Sequence, residues 1–367
     1  MKPSILFILH LEPPVHGASV VGSYIKNSKV INDCFDSHYI NLSTADSLSD
    51  IGQTSFKKLF VILKLYLHVF SYVFSNRVDL CYLTINASGP AWLKELGIVA
   101  ILKLLNIPLV FHYHNKGVKL NASSWWKKQL YKFQFEDSTT ILLSNLLYDD
   151  VADFVSVNDV QICANGIPNL SNTHVEIHTK TSSEICKILF LSNLFETKGV
   201  YVLLEACALL KNKNIQFNCV FVGGEGDVTE ELFYNKTKQL NLQNHVVYIG
   251  KKYADDKVKI FAEADLFAFP TFYKNETFGL VNLEAMQFSL PVISTFEGGI
   301  PDVVVDGITG YLIPQNNIEA LADKLELLIV NPTLRQEMGK AGKKRFEEYF
   351  TLEIFEKRLT KILLNSF

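Results

Sequence analysis

Apolar residues along the chain fall into two alternating rhythms. Short runs rich in Val, Ile, Leu and aromatic residues read as buried strands, and between them lie longer stretches with apolar positions at helical spacing. In the first half the short runs are "SILFILH" (4–10), "SHYINL" (37–42), "LCYLTI" (80–85), "PLVFHYH" (108–114), "TTILLS" (139–144) and "VQICAN" (160–165). A polar stretch, "NLSNTHVEIHTKTSSE" (169–184), interrupts them. The rhythm resumes with "KILFLS" (187–192), "FNCVFVG" (217–223), "VVYIG" (246–250), "LFAFPT" (266–271), "PVISTF" (291–296) and "GYLIP" (310–314). Helical patterns such as "AWLKELGIVAILKLL", "GVYVLLEACALLKNK" and "FGLVNLEAMQFS" separate the runs, and "RFEEYFTLEIFEKRLTKILL" closes the chain.

Strands alternating with helices predict βαβ units on parallel sheets. At 367 residues the chain exceeds one typical core. The expected fold class is α/β, with two Rossmann-like, doubly wound domains facing across a cleft lined by the carboxyl ends of both sheets. The expected division is 1–168 as the N-terminal domain, 169–184 as a linker, 185–345 as the second domain, and 346–367 as a helical tail packing back on the first.

Charge is distributed unevenly. Between Lys57 and Lys132 eleven basic residues face only Asp79 and Glu95, so this segment carries +9 within a chain of net charge −3. Solvated lysines on helix surfaces are one account of this; an anionic partner for the first half, such as a membrane surface, is the other. A nucleic-acid partner is not expected, because the lysines alternate with long apolar runs and no reader motif accompanies them. The apolar stretch "SFKKLFVILKLYLHVFSYVF" (55–74) contains Lys64 and His68. Its 16 residues from Leu59 to Phe74 would span about 24 Å as a helix, short of a hydrocarbon core of about 30 Å. Burial of one face with membrane contact on another is the expectation. The six cysteines (34, 81, 163, 186, 207, 219) show no C-x-x-C spacing and read as buried thiols of a cytoplasmic protein without a zinc site. The opening "MKPSILFILHLEPPVHG" reads as a first strand rather than a signal peptide.

Candidate chemistry concentrates in "NETFGLVNLEAM" (275–286). Glu276 is expected in the loop after a strand, and a helix is expected to start near Thr277 or Phe278 with Thr277 as its N-cap. The amides of Phe278, Gly279 and Leu280 would then suit an anion such as phosphate. Glu284, two turns on, would meet a different part of an extended ligand, for example vicinal hydroxyls. For two isolated glutamates, a solvated and a structural role is the alternative. "VGGEGD" lacks a full G-x-G-x-x-G and a suitably spaced acid, so a nicotinamide site is not expected.

The stretch "NETFGLVNLEAM" resembles the E-x7-E signature of retaining glycosyltransferases of the GT-B fold, the large family-4 group. "FLSNLFETKGVYVLLEA", "FVGGEGD", "VVYIG", "PVISTFEGGIPDVV" and "DGITGYLIP" extend the resemblance over about residues 187–350, and "PPVHGAS" (13–19), "FHYH" (111–114) and "NGI" (165–167) add a weaker match before it. The resemblance implies that Glu276 contacts the donor sugar's hydroxyls and Glu284 the ribose. The amides of Gly279 and Leu280, beside Phe278, would lie near sugar and phosphate, and Lys198 would neutralise the diphosphate. It also implies that Gly17 admits the diphosphate from the first domain and that His114, or its neighbour His112, lies near the transferred sugar. Asn193 stands where many relatives carry an arginine; Lys116 and Lys251 are candidates to supply the missing charge.

The resemblance implies a hexosyltransferase moving a hexose or N-acetylhexosamine, with retention, from a nucleotide diphosphate sugar to a hydroxyl of a glycan or lipid-linked acceptor. The setting would be bacterial surface polysaccharide synthesis, capsule or lipopolysaccharide, at the inner face of the cell membrane. No D-x-D is found, so no metal and no cofactor are expected, with a UDP-sugar favoured as donor. A nucleotide-sugar epimerase of the same fold and a non-catalytic sugar-nucleotide or polysaccharide binder stand as alternatives.

Overall fold

All twelve expected strands form, and each ladder is parallel. The computed structural model describes residues 2–13, 17–43, 56–170 and 185–367. Most of the stretch read as a linker (171–184) lies outside these residues, as do residues 14–16 of the "PPVHGAS" run. The chain divides into two units: Met1–Gly166 with Leu352–Phe367, and Ile167–Thr351.

The first unit runs β1 (Ser4–Leu9), α1 (Gly17–Asn27), α2 (Lys29–Cys34), β2 (Asp36–Asn41), α3 (Phe56–Ser75), β3 (Leu80–Leu83), α4 (Gly89–Leu104), β4 (Leu109–His112), α5 (Val118–Asn121), α6 (Trp125–Phe135), β5 (Ser138–Leu142) and β6 (Val160–Ile162). Its sheet order is β2-β1-β3-β4-β5-β6. Burial explains that order. Ile5 to Leu9 are buried without interruption, as a strand covered on both faces requires. The polar "DSHYIN" of β2 suits an edge. Gly22 lets α1 lie directly on the end of β1, since a Cβ there would sit 2.1 Å from the His10 carbonyl oxygen.

The helix α3 has two apolar faces. Val69 and Val73 are buried, whereas Phe60, Leu63, Leu67, Phe70 and Phe74 are exposed at three- and four-residue intervals. Lys64 Nζ lies 4.6 Å from the Phe60 ring at the side of this stripe. No described helix is long and apolar enough to cross a membrane.

The second unit runs β7 (Cys186–Leu191), α7 (Val200–Asn212), β8 (Phe217–Val222), α8 (Glu230–Gln239), β9 (Val246–Tyr248), α9 (Ala254–Glu263), β10 (Leu266–Ala268), α10 (Leu280–Gln287), β11 (Val292–Thr295), α11 (Ile300–Val303), β12 (Gly310–Ile313), α12 (Ile318–Val330) and α13 (Pro332–Tyr349). The sheet order is β12-β11-β10-β7-β8-β9. The chain therefore winds outward from β7 through β8 and β9, then returns to lay β10 on the other side of β7. The crevice between the carboxyl ends of β7 and β10 is the topological switch point, where ligands of open α/β sheets bind.

The closing helical pattern is two helices rather than one. α13 ends at Phe350 (φ −129°), and α14 (Leu352–Leu364) belongs to the first unit, where it packs on α2 and places Phe367 6.2 Å from Phe35.

Candidate functional site

The loops that follow β7 and β10 carry the two charged groups at the switch point. After β7, Glu196–Lys198 form one tight turn that ends on Gly199 in the left-handed region (φ +90°), and α7 starts from there. A Cβ on Gly199 would lie 2.3 Å from the Pro270 carbonyl oxygen, so only glycine lets this turn press against the loop after β10. Two further bonds join the loops: Phe272 N donates to Thr197 O (2.8 Å), and Thr271 Oγ1 donates to the same oxygen (3.3 Å).

That clamp brings Lys198 to Glu276. Lys198 Nζ donates to Glu276 Oε2 at 2.7 Å, with side chains 18% and 13% exposed. The ammonium also lies over the ring of Tyr273, 4.3 Å from its centroid, and 5.7 Å from that of Phe269. Glu276 Oε1 accepts from the amide of Gly279 (3.2 Å). The glutamate is thus a held carboxylate, paired on one oxygen and capping a turn with the other.

The start of α10 differs from the sequence expectation. The helix begins at Leu280, and its N-cap is Gly279 in the left-handed region (φ +67°), with no side-chain cap. Thr277 is buried in the preceding loop and does not cap α10. The Phe278 side chain is buried and packs edge-on against Phe350, so only its backbone faces the turn. The loop is pinned from above by "FEGG": Gly299 N donates to Thr277 O (2.7 Å), and a Cβ on Gly298 would meet the Glu276 carbonyl oxygen at 2.3 Å.

Glu284, on α10, accepts from Lys257 of α9 at 2.6 Å through Oε1. Its Oε2 is buried with no hydrogen-bond partner among the described residues. Each glutamate of the E-x7-E pair is therefore matched to one lysine. Lys198 was an expected site residue. Lys257, Tyr273 and Gly298 were not, and only their position after strands of the same sheet would have marked them.

Asn193, after β7, accepts through Oδ1 from the amide of Gly224 (3.1 Å), fixing the loop after β8. "VGGEGD" has structural acids: Glu225 accepts from Glu230 N (2.7 Å) and Asp227 from Glu196 N (2.8 Å).

In the first unit, Gly17 is the exposed first residue of α1. His114 lies two residues past the end of β4 rather than ending it, half-buried, with its ring centroid 4.2 Å from that of His112. His112 is wholly buried and is bonded through Nδ1 to the Tyr82 hydroxyl at 2.5 Å. Burial, reinforced by the neighbouring His114, holds His112 well below the ordinary histidine range, so it is neutral at pH 7. Burial likewise keeps the Tyr82 hydroxyl protonated. His112 is a core histidine; His114 is half-buried beside it.

Residues 178–345 match the model for glycosyl transferases group 1. A capsular polysaccharide biosynthesis glycosyltransferase, CapM of Staphylococcus aureus, is 29% identical over 233 residues, 62% of this chain and 58% of that protein. A D-inositol 3-phosphate glycosyltransferase of Corynebacterium diphtheriae is 32% identical over 172 residues, 46% of this chain and 38% of that protein. The chain thus spans less than two thirds of either relative. Among solved structures, a glycosyltransferase from Rickettsia africae superposes with a TM-score of 0.78 at 19% identity, covering 100% of this chain and 98% of that one. Anabaena HepE, in complex with UDP-glucose, does so at 0.75 and 18%, covering 99% of each. Over residues 178–345, just under half of its length, the chain is similar to the glycosyl transferases group 1, and its two parallel six-stranded sheets have the GT-B fold.

Proposed function

We propose that the protein is a retaining glycosyltransferase that takes a hexose or N-acetylhexosamine from a nucleotide diphosphate sugar, with a UDP-sugar favoured. The observation that carries this reading is the pairing at the switch point. Two carboxylates eight residues apart, one in the loop after β10 and one on α10, are each held by a lysine, at 2.7 Å and 2.6 Å. In this reading Glu284 binds the ribose hydroxyls, Glu276 the sugar hydroxyls, and Lys198 the diphosphate. The amides of Gly279 and Leu280, with Phe278 packing beneath them, line the phosphate and sugar. Asn193 borders the same position, and Gly17 and His114 are the donor contacts of the first unit.

The chemistry breaks the bond from the anomeric carbon to the diphosphate oxygen and forms one from that carbon to the acceptor hydroxyl oxygen. The acceptor's proton passes to the departing phosphate, on the same face. Lys198 supplies the positive charge that the leaving diphosphate needs, without a metal ion. Before the donor arrives, that charge is spent on Glu276. Donor binding therefore exchanges one carboxylate partner of Lys198 for a diphosphate and leaves Glu276 able to accept from sugar hydroxyls.

The acceptor in this reading is a hydroxyl of a lipid-linked glycan at the cytoplasmic face of the membrane, in surface polysaccharide synthesis. Support comes from the +9 segment and from the exposed stripe of α3, both in the first unit.

Steady-state kinetics with Glu276→Gln and Glu284→Ala separate the roles. Glu284→Ala is expected to raise the donor KM at least about tenfold, the loss of a charge-assisted bond pair. Glu276→Gln is expected to lower kcat about a hundredfold or more while UDP binds as well or better, because Lys198 is released. Unchanged kcat and KM in both variants would refute the assignment, and donor binding with no turnover for any acceptor would favour a non-catalytic binder.

A further inference from the structure

The carboxyl ends of β7, β8 and β9 are neighbours, and their loops are stitched together. Ser192 N donates to Val222 O (2.9 Å), Gly223 N to Gly250 O (3.0 Å), and Leu194 N to Gly224 O (2.7 Å). Lys251, the residue after Gly250, folds its side chain over Gly224. An ideal Cβ on that glycine would lie 2.0 Å from Lys251 Cε, 3.0 Å from Lys251 Nζ and 3.1 Å from Asn193 Oδ1. The ammonium and the Asn193 amide oxygen are thus no more than about 6 Å apart, both over a backbone stretch without side chains.

Lys198 and Lys257 are each occupied by a glutamate. Lys251 is exposed, and its ammonium makes no hydrogen bond or ion pair with any described residue. Asn193 is held by its oxygen on Gly224 N, which directs its amide hydrogens elsewhere. The lysine stem fills the space over Gly224 and holds the exposed ammonium beside a fixed carboxamide, where one anion can meet both.

We propose that Lys251 is the second diphosphate-binding cation of the donor site, supplying from the end of β9 the charge that Asn193 lacks. This rests on the donor site described above. Lys116, the other candidate, lies in the first unit and has other interactions. Lys251 shares its loop cluster with Asn193.

The test is calorimetric binding of UDP and of UMP, with GDP and GMP replacing them if UDP does not bind, at low and high salt. Wild type is compared with Lys251→Gln, Lys251→Arg, Glu284→Ala and the double variant Lys251→Gln/Asn193→Arg. Lys251→Gln is expected to weaken UDP about tenfold and UMP much less, and to flatten the salt dependence of UDP binding. Lys251→Arg should keep most of the affinity, and Asn193→Arg should restore it in the double variant. If Lys251→Gln binds UDP like wild type while Glu284→Ala loses it, the role of Lys251 is refuted and the donor site stands. If no nucleotide binds wild type, both fail together.

Discussion

At the scale of single residues, the site is a set of charges matched in advance. Lys198 and Glu276 are mostly shielded from water, so removing either partner leaves a partly buried charge without its counterpart. The first unit carries a different residue-scale device. His112 is held neutral by burial, whereas in the unfolded chain a histidine titrates at about 6.5. As pH falls below that value the unfolded chain takes up a proton that the folded one refuses, so stability declines toward the lower folded pKa and then levels. The melting temperature of wild type should therefore drop between about pH 7 and pH 5, and His112→Phe should drop with a shallower slope. Parallel slopes in the two proteins would show that His112 does not report on folding. Glu276, Glu284 and Lys198 were legible as candidates because their types and spacing carry chemistry. Lys257 was not, because its role exists only once α9 is laid beside α10.

At the scale of elements, the strands were legible and their ends were not. The expected runs overshoot at their carboxyl ends: the run to His114 pairs only to His112, and the run to Thr271 only to Ala268. Tyr113 and Phe269 stay buried, each with one last cross-strand bond (Tyr113 N to Ile141 O, 3.0 Å; Phe269 N to Ile293 O, 2.8 Å), so the apolar run outlasts the regular strand. The same limit hid the start of α10. A helix is expected from near Thr277 or Phe278, but Gly279 turns left-handed and delays it to Leu280. Positive φ at a glycine leaves no mark in the apolar pattern. Gly199 is the sharper case, since it combines φ +90° with a 2.3 Å approach to Pro270 O. Gly199→Ala is expected to cost about 1–3 kcal/mol and to weaken UDP binding, because Lys198 is carried by the turn that must shift. Chemical denaturation and calorimetry on the one variant check both effects. An alanine variant as stable and as tight as wild type would remove the clamp from the account.

At the scale of the whole molecule, the chain leaves its first unit, builds the second, and returns as α14 to pack on α2. The pattern of apolar residues marked a closing helical stretch, but the change of unit occurs between Thr351 and Leu352, where no glycine or proline announces it. The first unit also carries the surface that the proposed acceptor requires. Phe60, Leu63, Leu67, Phe70 and Phe74 are exposed along α3, with Phe74 at 75%, and on α6 Trp125 is 76% exposed beside Trp126. Burial of such side chains yields about 1.5–3 kcal/mol each at full transfer, so even partial insertion of several gives measurable binding. Flotation with vesicles of phosphatidylcholine and phosphatidylglycerol should recover wild type at low salt. Leu67→Asp/Phe70→Asp should remain at the bottom of the gradient. Equal recovery of both proteins would take α3 out of the membrane contact.

In the proposed function the E-x7-E unit binds a nucleotide diphosphate sugar. Calorimetric titration of the intact protein with UDP-glucose, UDP-galactose, UDP-N-acetylglucosamine and GDP-mannose, each repeated with Glu284→Ala, tests it most directly. Wild type is expected to bind one donor saturably, and the variant to lose that binding. Binding that survives Glu284→Ala unchanged, or no binding of any of the four, would contradict it.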